Sequence, residues 1–110
     1  MDDQTQLRVV DIVGSRLCLF SEDGQKVHDA ILAELRNGRK VRLSFEGVEA
    51  LTAAFLNVAV GQLYGELPRA EIKARLSVAD ASQDDLFVLK RVVDRAKEFF
   101  AEQRQPVTAV

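Results

Sequence analysis

Residues 41–64 read VRLSFEGVEALTAAFLNVAVGQLY, and the order of patterns within them decides the fold. Val41 to Phe45 alternates apolar and polar side chains, the period of a strand covered mainly on one face. Glu46-Gly47-Val48-Glu49 breaks that period and reads as a loop. Thr52 then stands as a natural N-cap, because its hydroxyl can accept a free backbone N–H of the first helical turn. A helix is predicted from about Ala53 to Tyr64, with Gly65 supplying a left-handed turn and Pro68 just beyond it.

Upstream, Leu7 to Val13 (LRVVDIV) is β-branched and mostly apolar, and predicts a strand. Gly14-Ser15 makes a turn. Leu17 to Phe20 is either a short strand or an extended approach to a helix. Cys18 within it has apolar neighbours and reads as a small core residue, since a reactive thiol needs a cationic or helix-terminal setting. Ser21 caps the next helix, with Glu22 and Asp23 at the positive end of its macrodipole. Val27, Ile31, Leu32 and Leu35 share one face of that helix, and Asn37-Gly38 stops it. His28 lies off the stripe and reads as a solvated residue.

Downstream, Glu71-Ile72-Lys73 reads as a bridging turn and Leu76 to Ala79 as a short strand. Ser82-Gln83-Asp84-Asp85 matches a capping box, so the Asp84-Asp85 pair serves a helix start rather than acid–base chemistry. Leu86, Leu89, Val92, Val93, Ala96, Phe99 and Phe100 form the apolar stripe of a last helix. Residues 1–104 make one domain, and 105–110 read as a loose tail. The alternation of strands and helices predicts an α/β layer, with at least part of its sheet parallel.

The 110 residues suffice for a single core without disulfide or metal. With 47% hydrophobic and 29% charged residues, the chain has the mix of a globule rather than a disordered tail. A net charge of -2 gives no broad footprint for nucleic acid or an acidic membrane. The one basic cluster, Arg36, Arg39, Lys40 and Arg42, has no interleaved aromatic and reads as a solvated face. No apolar run approaches the about 18–20 residues of a membrane span. The acidic, polar start is no secretory signal, so the expected location is the cytoplasm. One cysteine and one histidine leave no zinc cluster, and the glycines fit neither a Walker loop nor a dinucleotide turn. No cofactor, no metal and no catalysis are expected.

The stretch 41–64 resembles a STAS-like domain of unknown function found in bacterial proteins. That family has a strand ending in a "DFEGV" phrase, matched here by Ser44-Phe45-Glu46-Gly47-Val48. A helix follows in the family, matched here by Ala53 to Leu63. Asp11 to Gly14, Glu22 to Val27 and Leu89 to Phe99 also look like that family. The resemblance implies a four- to five-stranded mixed sheet with about three main helices. Anti-sigma factor antagonists share this order of elements. They bind an ATP-dependent kinase through the start of the corresponding helix and are switched by phosphorylation of a serine there. Phrase laid on phrase, the strand acid falls on Ser44 and the loop acid on Thr52. The two serines fall on Ala53 and Ala54, and the glycine on Phe55. The acceptor serine is missing, so the resemblance implies the scaffold without the switch.

At about 100° per residue the central helix divides into two stripes. Leu56, Ala59, Val60, Leu63 and Leu67 form the core stripe. Ala54, Val58, Gly61 and Gly65, with Asn57 beside them, form an opposite face that is small and uncharged. Either the last helix covers this face, or a partner does. The expected function is a non-catalytic interaction module in bacterial signalling. Its expected contacts are Thr52, Ala54, Phe55, Asn57, Val58 and Gly61. The resemblance implies a partner with a histidine-kinase-like ATPase fold. A second copy of the chain, or a small molecule near Glu46, Gly47 and Thr52, is the alternative.

Overall fold

A computed structural model describes residues 3–104; the expected tail at 105–110 lies outside them. Three strands form one sheet: β1 (Gln4–Arg8), β3 (Lys40–Ser44) and β5 (Leu76–Ala79), in the order β1-β3-β5. Both pairings are parallel, with Leu7 opposite Leu43 and Leu43 opposite Val78. A separate pair joins β2 (Leu17–Cys18) to β4 (Ala50–Leu51), also in parallel. The expected single mixed sheet is therefore corrected to an all-parallel three plus two. Each connection between sheet neighbours carries helices, as parallel pairing demands.

The first strand ends earlier than its residue types suggest. Val9–Val13 is a short helix, α1, closed by Gly14 at φ 77, whose N–H donates to the Val10 carbonyl at 2.8 Å. A β-branched run costs a helix only some tenths of a kcal/mol per residue. Full burial of Val9 and the glycine cap outweigh that.

Helix α2 (Ser21–Arg36) buries Val27, Ile31, Leu32 and Leu35 and ends at Asn37, as read. Its N-cap is Phe20, not Ser21, and no side chain caps it. Helix α3 begins at Ala53 but stops at Ala59. Val60 leaves helical geometry (φ -120, ψ -45), and the chain tightens into a 3-10 turn over Gly61–Gly65. Gly65 is not left-handed. It provides space instead, since a Cβ there would overlap the Phe100 ring.

The expected turn at Glu71–Lys73 lies within α4 (Arg69–Arg75). Arg75 explains why this short helix persists. Its guanidinium donates to Glu71 Oε1 at 2.6 Å and to the carbonyls of Leu35 at 2.6 Å and Arg39 at 2.9 Å. One cation thus satisfies the C-terminal end of α2 and pins α4 to it. Helix α5 (Gln83–Arg104) starts with the expected cap, Asp85 N–H donating to Ser82 Oγ at 3.1 Å. It buries Leu89 and Val92, half-buries Val93, Ala96 and Phe100, and leaves Leu86 and Phe99 exposed.

Gly24 is where α2 meets α3. A Cβ at Gly24 would lie 2.5 Å from the Phe55 carbonyl oxygen and 3.1 Å from Val58 Cβ. Alanine for glycine inside a helix ordinarily gains about 1 kcal/mol. Here the sign reverses, because the backbone of α3 must move. Gly24→Ala is expected to destabilise the domain by about 1–3 kcal/mol, read as a lower urea midpoint. An unchanged or raised midpoint would contradict this packing.

Candidate functional site

The start of α3 is fixed by one hydroxyl used twice. Thr52 Oγ1 accepts from Phe55 N–H at 3.2 Å and donates to the Leu19 carbonyl at 2.7 Å. The Thr52 N–H donates to the Cys18 carbonyl at 3.2 Å. Thr52 therefore ties α3 to the β2 strand, and its oxygen is engaged in both directions. Ala54 and Asn57 are exposed and Val58 is half-buried. Phe55 is fully buried. Its placement among the contact residues is corrected: its ring serves the core and has no surface to offer a partner. Gly61 is also buried, with Val92 and Ala96 of α5 within 3.7 Å of where its Cβ would stand. The last helix therefore covers the small-residue face at Gly61 and sets the Phe100 ring beside Gly65, which stays exposed, and it leaves the Ala54 end open.

A groove runs between α3 and α5. A cavity of about 320 Å³ at one end is lined by Leu51, Ala53, Phe87 and Arg91. A second of about 390 Å³ is lined by Val58, Gln62, Phe99 and Phe100. Asn57 and Arg95 line both, so the two lie side by side. Phe87 is 63% exposed, and the Arg91 guanidinium lies 5.9 Å from its ring centre. Phe20 is 62% exposed.

The Glu46 loop offers less. Glu46 is exposed, with its carboxylate 4.0 Å from Arg8 Nε. Gly47 turns the loop at φ 84. Neither residue, nor Thr52, lines the four cavities found along α4, α5 and the groove. Ser44 is buried; its hydroxyl donates to Asp80 Oδ2 at 2.6 Å and accepts from Glu46 N–H at 3.3 Å. Asp80 holds a left-handed φ of 61, uncommon outside glycine, at the end of β5.

His28 is not solvated, contrary to its sequence reading. Only 4% of it is exposed. Nε2 donates toward both Glu66 carboxylate oxygens, each at 3.0 Å. Nδ1 lies 3.0 Å from Asp29 Oδ1 and 3.2 Å from Gln25 Nε2. A protonated Nδ1 donates to Asp29, and a bare one accepts from Gln25. The His28 hydrogen bond, helped by Gln25, holds the Asp29 carboxyl below its ordinary range. His28 thus clamps α2 to the residue just after the 3-10 turn. Its partner Glu66 is 38 positions away, so no local spacing could reveal it.

Cys18 is buried, as read. Burial pushes its thiol up to about 11, with the charges of Asp23 and Asp85 adding to the effect. Among the described residues no group of three or more His, Cys, Asp or Glu could hold a metal ion. No helix among them is long and apolar enough to cross a membrane.

A family model described as a STAS-like domain of unknown function matches residues 23–86. The chain belongs to that family. The match takes in most of α2 and everything from β3 to the first turn of α5, so the open start of α3 lies inside the part of the STAS-like domain that is shared. No curated protein and no solved structure matches the chain.

Two outcomes follow from this geometry. Thr52→Ala removes a cap and orphans the Leu19 carbonyl, and should cost about 1–2 kcal/mol in urea unfolding, while Thr52→Ser keeps most of it. Equal losses for the two variants would show that the hydroxyl is not what matters. Cys18 should react with a thiol reagent at pH 8 only slowly in the native STAS-like domain, and fast once unfolded. Fast native labelling would contradict its burial.

Proposed function

We propose that this STAS-like domain is a non-catalytic protein-interaction module in bacterial signalling, with a partner of histidine-kinase-like ATPase fold. One observation carries the reading. The exposed, uncharged start of α3 opens onto a groove flanked by the exposed ring of Phe87. Exposed aromatic rings beside a shallow apolar groove are a common anchor of protein interfaces. Arg91 and Arg95 border the groove as a polar rim, where charge steers and orients a partner. Ala53, Ala54 and Asn57 carry no charge, so their burial costs little desolvation.

The resemblance to anti-sigma factor antagonists supplies the class of partner, since those proteins use the same helix start. Ala53 and Ala54 stand where their serines stand, so the module acts without a serine switch at that place. A specific interface needs at least about 1,000 Å² in total. Ala54, Asn57, Phe87 and Arg91 would form its centre.

Ala54→Glu and Phe87→Glu test the reading, because both side chains are exposed and the fold should survive. Each variant is expected to melt like the natural protein and to lose the ATPase partner in a pull-down from the native host read by mass spectrometry. Retention of every association by both variants would overturn the proposal. So would capture of the chain by itself alone, seen as a dimer in analytical ultracentrifugation.

A further inference from the structure

A cavity of about 470 Å³ lies away from the α3 start, between α4, the edge strand β5 and α5. Its volume falls within the range of about 300–1,000 Å³ usual for small-molecule sites. Its bed is apolar: Ile72 of α4, Leu76 and Val78 of β5, and Leu89 and Val93 of α5. Its polar lining is of one sign. Arg69 and Lys73 stand one helical turn apart on α4, and Lys97 comes from α5. Among the described residues no carboxylate lines this cavity, and none pairs with any of the three cations within 4.0 Å. Asp94 and Glu98 share a neighbouring hollow with Arg69 and Lys97. The Tyr64 phenol adds a neutral hydrogen-bonding group to the rim, and the Lys97 ammonium lies 5.9 Å from its ring centre.

We infer that this cavity binds an amphiphilic organic anion, with the apolar body on the α4–β5–α5 bed and a carboxylate or phosphate head between Arg69, Lys73 and Lys97. The two features specify the ligand jointly. An apolar bed alone takes any hydrocarbon, and three cations alone take any anion. Three unpaired cations around an apolar hollow gain most from a ligand that neutralises them while covering it. Arg69 offers a planar fork to two oxygens of the head, and the lysines act as point charges. This site is separate from the α3–α5 groove, and neither reading depends on the other.

Tyr64 makes the test site-specific, because the chain holds one tyrosine and no tryptophan. Its emission is followed during titration with decanoate, decyl phosphate, decanol and inorganic phosphate. The two anionic amphiphiles should change the emission saturably, and the tighter of them identifies the head. Decanol and inorganic phosphate should bind at least tenfold more weakly. Lys73→Glu, at an exposed position, should melt like the natural protein and weaken the better amphiphile at least tenfold. Lys97→Gln serves the same purpose if the first variant does not fold. No saturable change with either amphiphile would overturn the inference. So would decanol or inorganic phosphate binding as tightly as the amphiphiles, or a folded variant that keeps full affinity.

Discussion

The contact on which the rest of the structure depends is the approach of α2 to α3 at Gly24. With no side chain at that position, the helix lies directly on the Phe55 carbonyl and the Val58 side chain. That closeness brings the start of α3 beside the end of β2, where Thr52 can reach the Leu19 carbonyl. It also turns the opposite side of α3 toward α5, whose Val92 and Ala96 rest against Gly61. Glycine approaches at Gly24 on α2 and at Gly61 in the 3-10 turn therefore hold α3 and the turn after it between α2 and α5. A methyl group at Gly24 would press hardest on the Phe55 carbonyl, and that is the costly case, because a backbone cannot change rotamer.

The same sandwich accounts for the surface that remains. Between Glu49 and Glu66 the chain has no charged residue. A segment buried on both sides needs none, and the stretch from Phe55 to Tyr64 is largely buried. At the start of α3, Ala53, Ala54 and Asn57 reach solvent, while further along only Gln62 and Gly65 do. The open patch is thus the uncovered end of an element built for burial. That explains why it is small and smooth, and why the flanking charge comes from α5, at Arg91 and Arg95, rather than from α3 itself.

What was legible in the sequence was local. The Thr52 cap, the Ser82 cap, the α2 stripe and the strands at Val41 and Leu76 follow from preferences that operate within one turn or one pleat. What was not legible was decided across the fold. The helix stops at Ala59 rather than running on to Tyr64, although the sequence already marks the Gly61 and Gly65 face as one for the last helix or a partner to cover. His28 seemed solvated because it lies beside the α2 stripe, yet Glu66 closes over it from beyond the 3-10 turn. The α4 helix is held by Arg75 reaching Leu35 and Arg39, contacts between residues 40 and 36 positions apart. For the site, the exposure of Ala54 and Asn57 was readable from helical phase. The burial of Phe55 was not, because its phase places it between the two stripes and only the approach of α2 assigns it to the core.

The departures from the antagonist pattern fit together physically. A phosphorylation switch needs a free hydroxyl at the head of a helix, where the macrodipole favours the added charge. Ala53 and Ala54 have no hydroxyl, and Thr52 has both its proton and a lone pair engaged in holding α3 to β2. A phosphate on Thr52 would remove the proton that binds Leu19 and push the helix from its seat. At the end of β3, Ser44, which the resemblance would set opposite an acid, donates its hydroxyl to the Asp80 carboxylate. Asp80 accepts a left-handed backbone to deliver it, and the resulting bond ties β5 to β3 beyond their last paired residues. Hydroxyls that could serve as polar, switchable groups at this end of the sheet are here committed to fastening it. On the proposed reading, recognition at the surface beside them would rest on the groove and the Phe87 ring rather than on a change of charge.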